Sequence, residues 1–309
     1  MNKTVLILLI AVLAPTILGS SYLAVAMVSA ARDAGMRRLA VNGVERTYYL
    51  YVPDHLPPGA PLVIMLHGYG SDGTRVVRDF GWEAEADLGR FVVAGPDASR
   101  LFPGATPDRR NRRSWNARVP GEAGGVEHSD DVGFIVAVID DIARNVGIDR
   151  RRVYVAGFSS GGQMASRLGQ EIPDRVAAIS MSASQVVLFP RPPSRGVPIL
   201  FSAGDQDPVT PVEDTRIELP AGGFFVRRAH RTLVDLWRVL DGCPAAHRVP
   251  GPKNTIVEVS APCRGGSEVR YILMQGVAHE WPTRHPIDLT RTSWEFFKRF
   301  SLPAEAAGN

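Results

Sequence analysis

Three side-chain types that could share one reaction lie far apart in the chain. Gly157-Phe158-Ser159-Ser160-Gly161 sets a serine between glycines, Asp205 and Asp207 fall in Gly204-Asp205-Gln206-Asp207-Pro208-Val209, and His279 stands in Gly276-Val277-Ala278-His279-Glu280-Trp281-Pro282. A serine hydroxyl is a weak nucleophile until a base takes its proton, and a histidine serves best when a carboxylate orients it. The chain order of serine, acid and histidine suits acyl transfer on an open α/β sheet. Asp207 is the preferred acid because it lies further into the loop, ahead of Pro208-Val209, and Asp205 would then shape the turn. His279 is the preferred base. His230 and His247 fall in or just beyond a helical stretch, and His285 falls outside the turn.

Acyl transfer also needs N–H donors for the oxyanion. One expected donor is the backbone of Ser160, next to the nucleophile. The other is Tyr69 in His67-Gly68-Tyr69-Gly70, where flanking glycines let the backbone approach a substrate. His67 reads as a brace for that loop rather than as a catalyst.

These residues need elements to hold them. Short apolar runs at Pro61–Leu66, Phe91–Ala94, Arg152–Ala156, Val176–Met181, Pro198–Ser202 and Val269–Met274 read as buried strands. Arg46–Val52 reads as a strand after an Asn42-Gly43 hairpin turn. Helices are expected over Asp131–Val146, with Phe134, Val138, Ile142 and Val146 on one face, and over Gly161–Ile172, Ala229–Leu240 and Leu289–Phe300. Such alternation predicts an α/β fold with a mostly parallel sheet covered on both faces. The glycine-flanked serine falls between a strand and a helix, the setting of a nucleophile elbow. Asp130 and Asp131 are expected to cap and open a helix. Two irregular stretches remain, 99–128 and 184–197. The first carries Arg109, Arg110, Arg112, Arg113 and Arg118, read as a solvated surface.

Together Leu66-His67-Gly68-Tyr69-Gly70, Asp130-Asp131-Val132-Gly133-Phe134, the run Arg152 to Gly162 and Ala278-His279-Glu280-Trp281-Pro282 resemble the esterase family of polyhydroxybutyrate depolymerases and feruloyl or acetyl xylan esterases. The resemblance spans about residues 38–300. It implies an α/β-hydrolase fold, a Ser159/Asp207/His279 triad and no cofactor or metal. Around the histidine the family often has Gly-Gly-His-Thr-Trp-Pro; Val277, Ala278 and Glu280 depart from it here. Trp115, in Ser114-Trp115-Asn116, resembles an aromatic position of the family. With Trp281 it is expected to line the substrate pocket, unless both are packed anchors. Depolymerases of solid polyester often carry a binding module behind this core, whereas this chain ends nine residues after Phe300. The expected substrates are therefore soluble hydroxyalkanoate oligomers or small esters, with feruloyl or acetyl esters of plant polysaccharide as the alternative. A non-catalytic binding protein on the same scaffold is the competing class.

The amino terminus bears on compartment. Lys3 is the only charge before Arg32, and Val5–Leu18 is almost wholly apolar. This start reads as an export signal, with small residues at Ala24-Val25-Ala26 and Val28-Ser29-Ala30 suited to cleavage. The stretch 4–30 is also long enough to anchor the chain in a bilayer. Residues 1–30 are thus expected to be a signal peptide or signal anchor, and 31–309 a catalytic domain that is secreted, periplasmic or membrane-anchored. Export would favour a Cys243–Cys263 disulfide, and two cysteines exclude a cysteine-rich metal site. The 309 residues hold 35 basic and 32 acidic side chains, and all but three of the basic ones are arginines. Loss of residues 1–30 would remove one lysine and lower the formal charge from +3 to +2. The high pI reflects arginine usage and gives no support to nucleic-acid binding.

Overall fold

Apolar, β-branched segments assemble into a ten-stranded sheet. The computed structural model describes residues 35–101, 112–117, 129–185, 193–218 and 224–304. The described residues from Arg38 onward form one compact unit. The expected export segment, together with Arg109, Arg110 and Arg118, lies outside the described residues. No helix among those described is long and apolar enough to cross a membrane.

In chain order the elements are β1 (Met36–Val41), β2 (Val44–Tyr51), β3 (Leu62–Leu66), α1 (Gly73–Asp79), α2 (Trp82–Gly89), β4 (Val92–Pro96), α3 (Asp131–Asn145), β5 (Val153–Phe158) and α4 (Ser160–Glu171). They continue with β6 (Ala178–Ser182), β7 (Ile199–Gly204), β8 (Thr215–Glu218), β9 (Phe224–Arg227), α5 (His230–Leu240), β10 (His247–Val249), β11 (Thr255–Ser260), β12 (Val269–Met274) and α6 (Leu289–Phe297). The ten-stranded sheet has the order β1-β2-β4-β3-β5-β6-β7-β12-β11-β10, and from β4 across to β12 all neighbouring strands are parallel. Antiparallel strands flank them, β2 on one side and β11 and β10 on the other. The β8–β9 hairpin stands apart as its own small sheet. Asn42 and Gly43 turn the chain between β1 and β2 with φ of 49° and 77°, a left-handed pair that asparagine and glycine tolerate.

Strand alternation sends successive side chains to opposite faces. On one face Ile64, Val155, Ile179 and Phe201 join Phe134, Leu168 and Trp237 of α3, α4 and α5 in a buried cluster. On the other, Tyr154 stacks on Phe297 of α6, with ring centroids 5.0 Å apart. Its hydroxyl donates to the Phe300 carbonyl at 2.8 Å. Asp130 caps α3 by accepting from the Gly133 N–H, while Asp131 is fully buried and paired with Arg46 at 2.7 Å.

A Cys243–Cys263 disulfide closes a 20-residue span, tying the end of α5 to the turn before β12. A loop of that length contributes about 3 kcal/mol by chain entropy. Beside it Asp241, fully buried, accepts from the Val197 N–H at 3.0 Å and the Ser267 hydroxyl at 2.9 Å. Burial pushes its carboxyl up to about 6. A folded-state pKa above the unfolded one contributes stability that is fully present below the ordinary carboxylate range and is lost as pH rises through about 6. Asp241→Asn keeps an acceptor without the charge. It should flatten the decline in Tm that this group imposes between pH 4 and 7, worth on the order of 3 kcal/mol. Calorimetric Tm curves that run parallel for the two proteins would contradict this.

Candidate active site

The strand-to-helix junction at Ser159 is held by backbone packing. A Cβ on Gly157 would lie 2.2 Å from the Gly161 carbonyl oxygen, and one on Gly161 would lie 2.2 Å from that of Leu66. Side chains at either position are therefore excluded by close approach. Ser159 itself takes the strained conformation, φ 53° and ψ −121°, sparsely populated by residues bearing a Cβ and frequent at functional sites. A serine at a helix N-cap ordinarily accepts from its own first turn. Ser159 makes no such side-chain bond; its Oγ instead lies 3.0 Å from Nε2 of His279.

His279 reaches that point from the loop after β12, and its Nδ1 lies 2.8 Å from Asp207 Oδ2 in the loop after β7. The Asp207 carboxylate is well supplied with donors. Oδ1 accepts from the N–H groups of Val209 and Thr210 at 2.7 and 2.9 Å, and Oδ2 accepts from the Thr210 hydroxyl. Burial alone would raise its pKa, but the Thr210, His279 and Val209 hydrogen bonds outweigh burial and hold it below the usual range. An ionised Asp207 accepts a hydrogen bond from the Nδ1–H of His279, which leaves Nε2 as the acceptor facing Ser159. Of the two aspartates named from sequence, Asp207 is thus the one bonded to His279. Asp205 accepts from the Gly276 N–H at 2.7 Å and joins the two loops. Those loops are packed closely, since a Cβ on Gly204 would lie 2.0 Å from the Val277 carbonyl oxygen.

The His67–Gly70 loop covers the other side. A Cβ on Gly68 would lie 3.4 Å from Ser159 Cβ, so the peptide entering Tyr69 passes close to the serine. A cavity of about 390 Å³ opens there, lined by Tyr69, Arg75, Val76, Phe80, Phe158 and His279 around Ser159. Arg75 and Val76 lie on α1, and Phe80 is its C-cap. This wall was not anticipated from sequence. The available signal was Asp72, which caps α1 directly after the loop by accepting from the Arg75 N–H.

The expectation that Trp115 and Trp281 line the cavity is corrected. Trp115 is 3% exposed and its indole N–H donates to the His67 carbonyl at 2.8 Å. Trp281 is 5% exposed, donates to Thr290 Oγ1 at 2.9 Å and stacks behind Phe80 with centroids 5.3 Å apart. Both are packed anchors, because each indole N–H is spent on a buried acceptor that would otherwise lack a donor.

Residues 46–213 match the sequence model of the family described as Esterase PHB depolymerase. The chain belongs to this esterase family. One relative, the bifunctional acetylxylan esterase/xylanase XynS20E of Neocallimastix patriciarum, is 24% identical over 272 residues, covering 87% of this chain and 36% of that protein. Another, the poly(3-hydroxybutyrate) depolymerase of Ralstonia pickettii, is 31% identical over 156 residues, covering 47% of this chain and 30% of that protein. The chain thus spans about a third of the length of each. Among solved structures, the acetyl xylan esterase from Aspergillus awamori superposes with a TM-score of 0.58 at 15% identity, over 85% of this chain and 98% of that one. The present chain has the α/β-hydrolase fold, and as a member of the esterase family it is a carboxylic ester hydrolase.

Proposed function

We propose that Ser159, His279 and Asp207 act as nucleophile, base and orienting acid in the hydrolysis of hydroxyalkanoate oligomers or small esters, after export directed by residues 1–30. The observation that carries this reading is the continuous path from Asp207 Oδ2 through His279 to Ser159 Oγ, with steps of 2.8 and 3.0 Å, opening into the cavity. As His279 Nε2 takes the Ser159 proton, Oγ attacks the ester carbonyl carbon. The resulting oxyanion accepts from the N–H groups of Tyr69 and Ser160. His279 then returns the proton to the leaving alcohol, and a water molecule deprotonated by the same nitrogen hydrolyses the acyl-enzyme. The basic, apolar start of the chain supports export, and the disulfide is consistent with an oxidising compartment. Residues 31–309 are then the catalytic domain.

A second reading, esters of hydroxycinnamic or acetic acid on plant polysaccharide, has one feature in its favour. Phe80 and Phe158 meet edge to face with centroids 5.7 Å apart, an apolar wall suited to a planar acyl group. Hydroxybutyrate trimers, p-nitrophenyl butyrate, methyl ferulate and acetylated xylan should separate the two. Trimers are expected to exceed methyl ferulate in kcat/KM by about tenfold or more, and the reverse order would select the second reading. Failure to turn over any ester, with no labelling by a fluorophosphonate probe, would overturn both and favour a binding protein.

A further inference from the structure

Three consecutive peptide groups of the His67–Gly70 loop are each held by a hydrogen bond, two of them to the segment 113–115 and one within the loop. The His67 carbonyl accepts from the Trp115 indole N–H at 2.8 Å. The Gly68 carbonyl accepts from the His67 ring Nδ1–H at 2.7 Å and from the Ser71 N–H at 3.2 Å. The Gly70 N–H donates to the Arg113 carbonyl at 2.9 Å. The His67 ring has no freedom in its proton placement. Its Nε2 accepts from the Ala98 N–H at 3.0 Å, so the proton sits on Nδ1 and is directed at Gly68. The ring is completely buried, and burial lowers its pKa and keeps it neutral. Trp115 covers it, with ring centroids 5.1 Å apart.

Between these anchors one group stands out. The Tyr69 N–H donates to no protein acceptor among the described residues. A peptide group is planar and trans, so the Gly68 C=O and the Tyr69 N–H point in opposite directions. Fixing the carbonyl on the His67 side therefore aims the N–H away from it, and Gly68 itself is packed against Ser159.

We infer that Trp115 is a positioning residue for ester hydrolysis: by holding the His67 carbonyl and covering the His67 ring, it fixes the Gly68–Tyr69 peptide so that the Tyr69 N–H meets the oxyanion. The inference rests on the Ser159 mechanism proposed above. Trp115 touches neither the cavity nor the reacting atoms and acts through His67. Without the indole N–H, the buried His67 carbonyl loses its donor and the loop gains a reason to rotate. A misaimed Tyr69 N–H weakens transition-state binding more than substrate binding.

Trp115→Phe keeps a ring over His67 and removes only the N–H and some bulk. Complete loss of one oxyanion donor costs about 10²–10³ in kcat, so misalignment should lower kcat per titrated active site by about 10- to 100-fold. KM should move by less than about threefold. Affinity for a boronic-acid transition-state analogue should fall by the same factor as kcat/KM. A lowered Tm with unchanged kcat per active site and unchanged boronate affinity would overturn the inference. Should Trp115→Phe not fold, His67→Asn, which disturbs the same clamp from its other end, is read by the same kcat-against-KM split. Ser159→Ala keeps the two failures apart. If it remains active, the mechanism itself falls; if it is inactive while Trp115→Phe retains full kcat, only the role of Trp115 falls.

Discussion

Ser159→Ala should lower kcat/KM for p-nitrophenyl butyrate by about 10⁵- to 10⁶-fold, the scale on which removal of a nucleophilic serine acts in other serine hydrolases. Almost none of that loss should come from folding. The Ser159 hydroxyl does not cap α4, and its hydrogen bond is to His279 Nε2. The His279 side chain keeps 22% of its surface exposed, so water can satisfy the nitrogen after the change. Alanine is also close in size to serine, and the backbone of the turn is set by Gly157 and Gly161. Stability should therefore change by less than about 0.5 kcal/mol, a Tm shift of roughly 2 °C or less. Initial rates with active enzyme and variant at equal concentration, alongside thermal unfolding, give both numbers. Retention of more than about 1% activity would remove Ser159 from the nucleophile position, because no bypass of a covalent mechanism is that efficient.

The parts of this molecule that could be read from sequence are those in which chemistry and periodicity coincide. The parallel strands β3 to β7 and β12 are short apolar runs bounded by turn residues, and their buried faces leave no other reading. Asn42-Gly43 and Asp130 announced a turn and a cap through residue types that have few alternative uses. The loops bearing Asp207 and His279 follow strands, and strand ends on such sheets are where polar groups converge. What escaped is physically different. Helices α1 and α2 have seven and eight residues, about two turns each, too short to display a 3.6-residue period. The strand β11 sets Ile256, Glu258 and Ser260 on one face and Thr255, Val257 and Val259 on the other, so each face mixes polar and apolar residues and the alternation that marks a half-buried strand is blurred. Because α1 went unseen, so did the cavity wall at Arg75, Val76 and Phe80. The two tryptophans show a third limit. An indole reads the same in sequence whether it faces substrate or buries its N–H, and only the positions of the His67 carbonyl and Thr290 Oγ1 decide between them.

Asp207→Asn should reduce kcat by about 10⁴-fold with the fold intact, whereas Asp205→Asn should cost no more than a few-fold. The contrast follows from what each oxygen accepts. At position 207 an asparagine oxygen can keep the Val209 and Thr210 N–H bonds now made to Oδ1, and Thr210 can turn its hydroxyl to accept from the new NH₂. The loop therefore has little reason to rearrange. The NH₂ also faces His279 Nδ1 at the place of the present 2.8 Å contact, where it can only donate. Nδ1 must then become the acceptor, and the ring proton moves to Nε2, which lies 3.0 Å from Ser159 Oγ. A protonated Nε2 cannot take the serine proton, so the nucleophile stays a neutral hydroxyl. At position 205 the single bond from the Gly276 N–H needs only an oxygen, which asparagine supplies, and no proton on His279 moves. Single-turnover acylation of both variants by p-nitrophenyl butyrate, with Tm as the control for folding, reads the two effects side by side. Equal losses in the pair would mean that the two loops act only as a scaffold. A larger loss at Asp205 would transfer the orienting role to it.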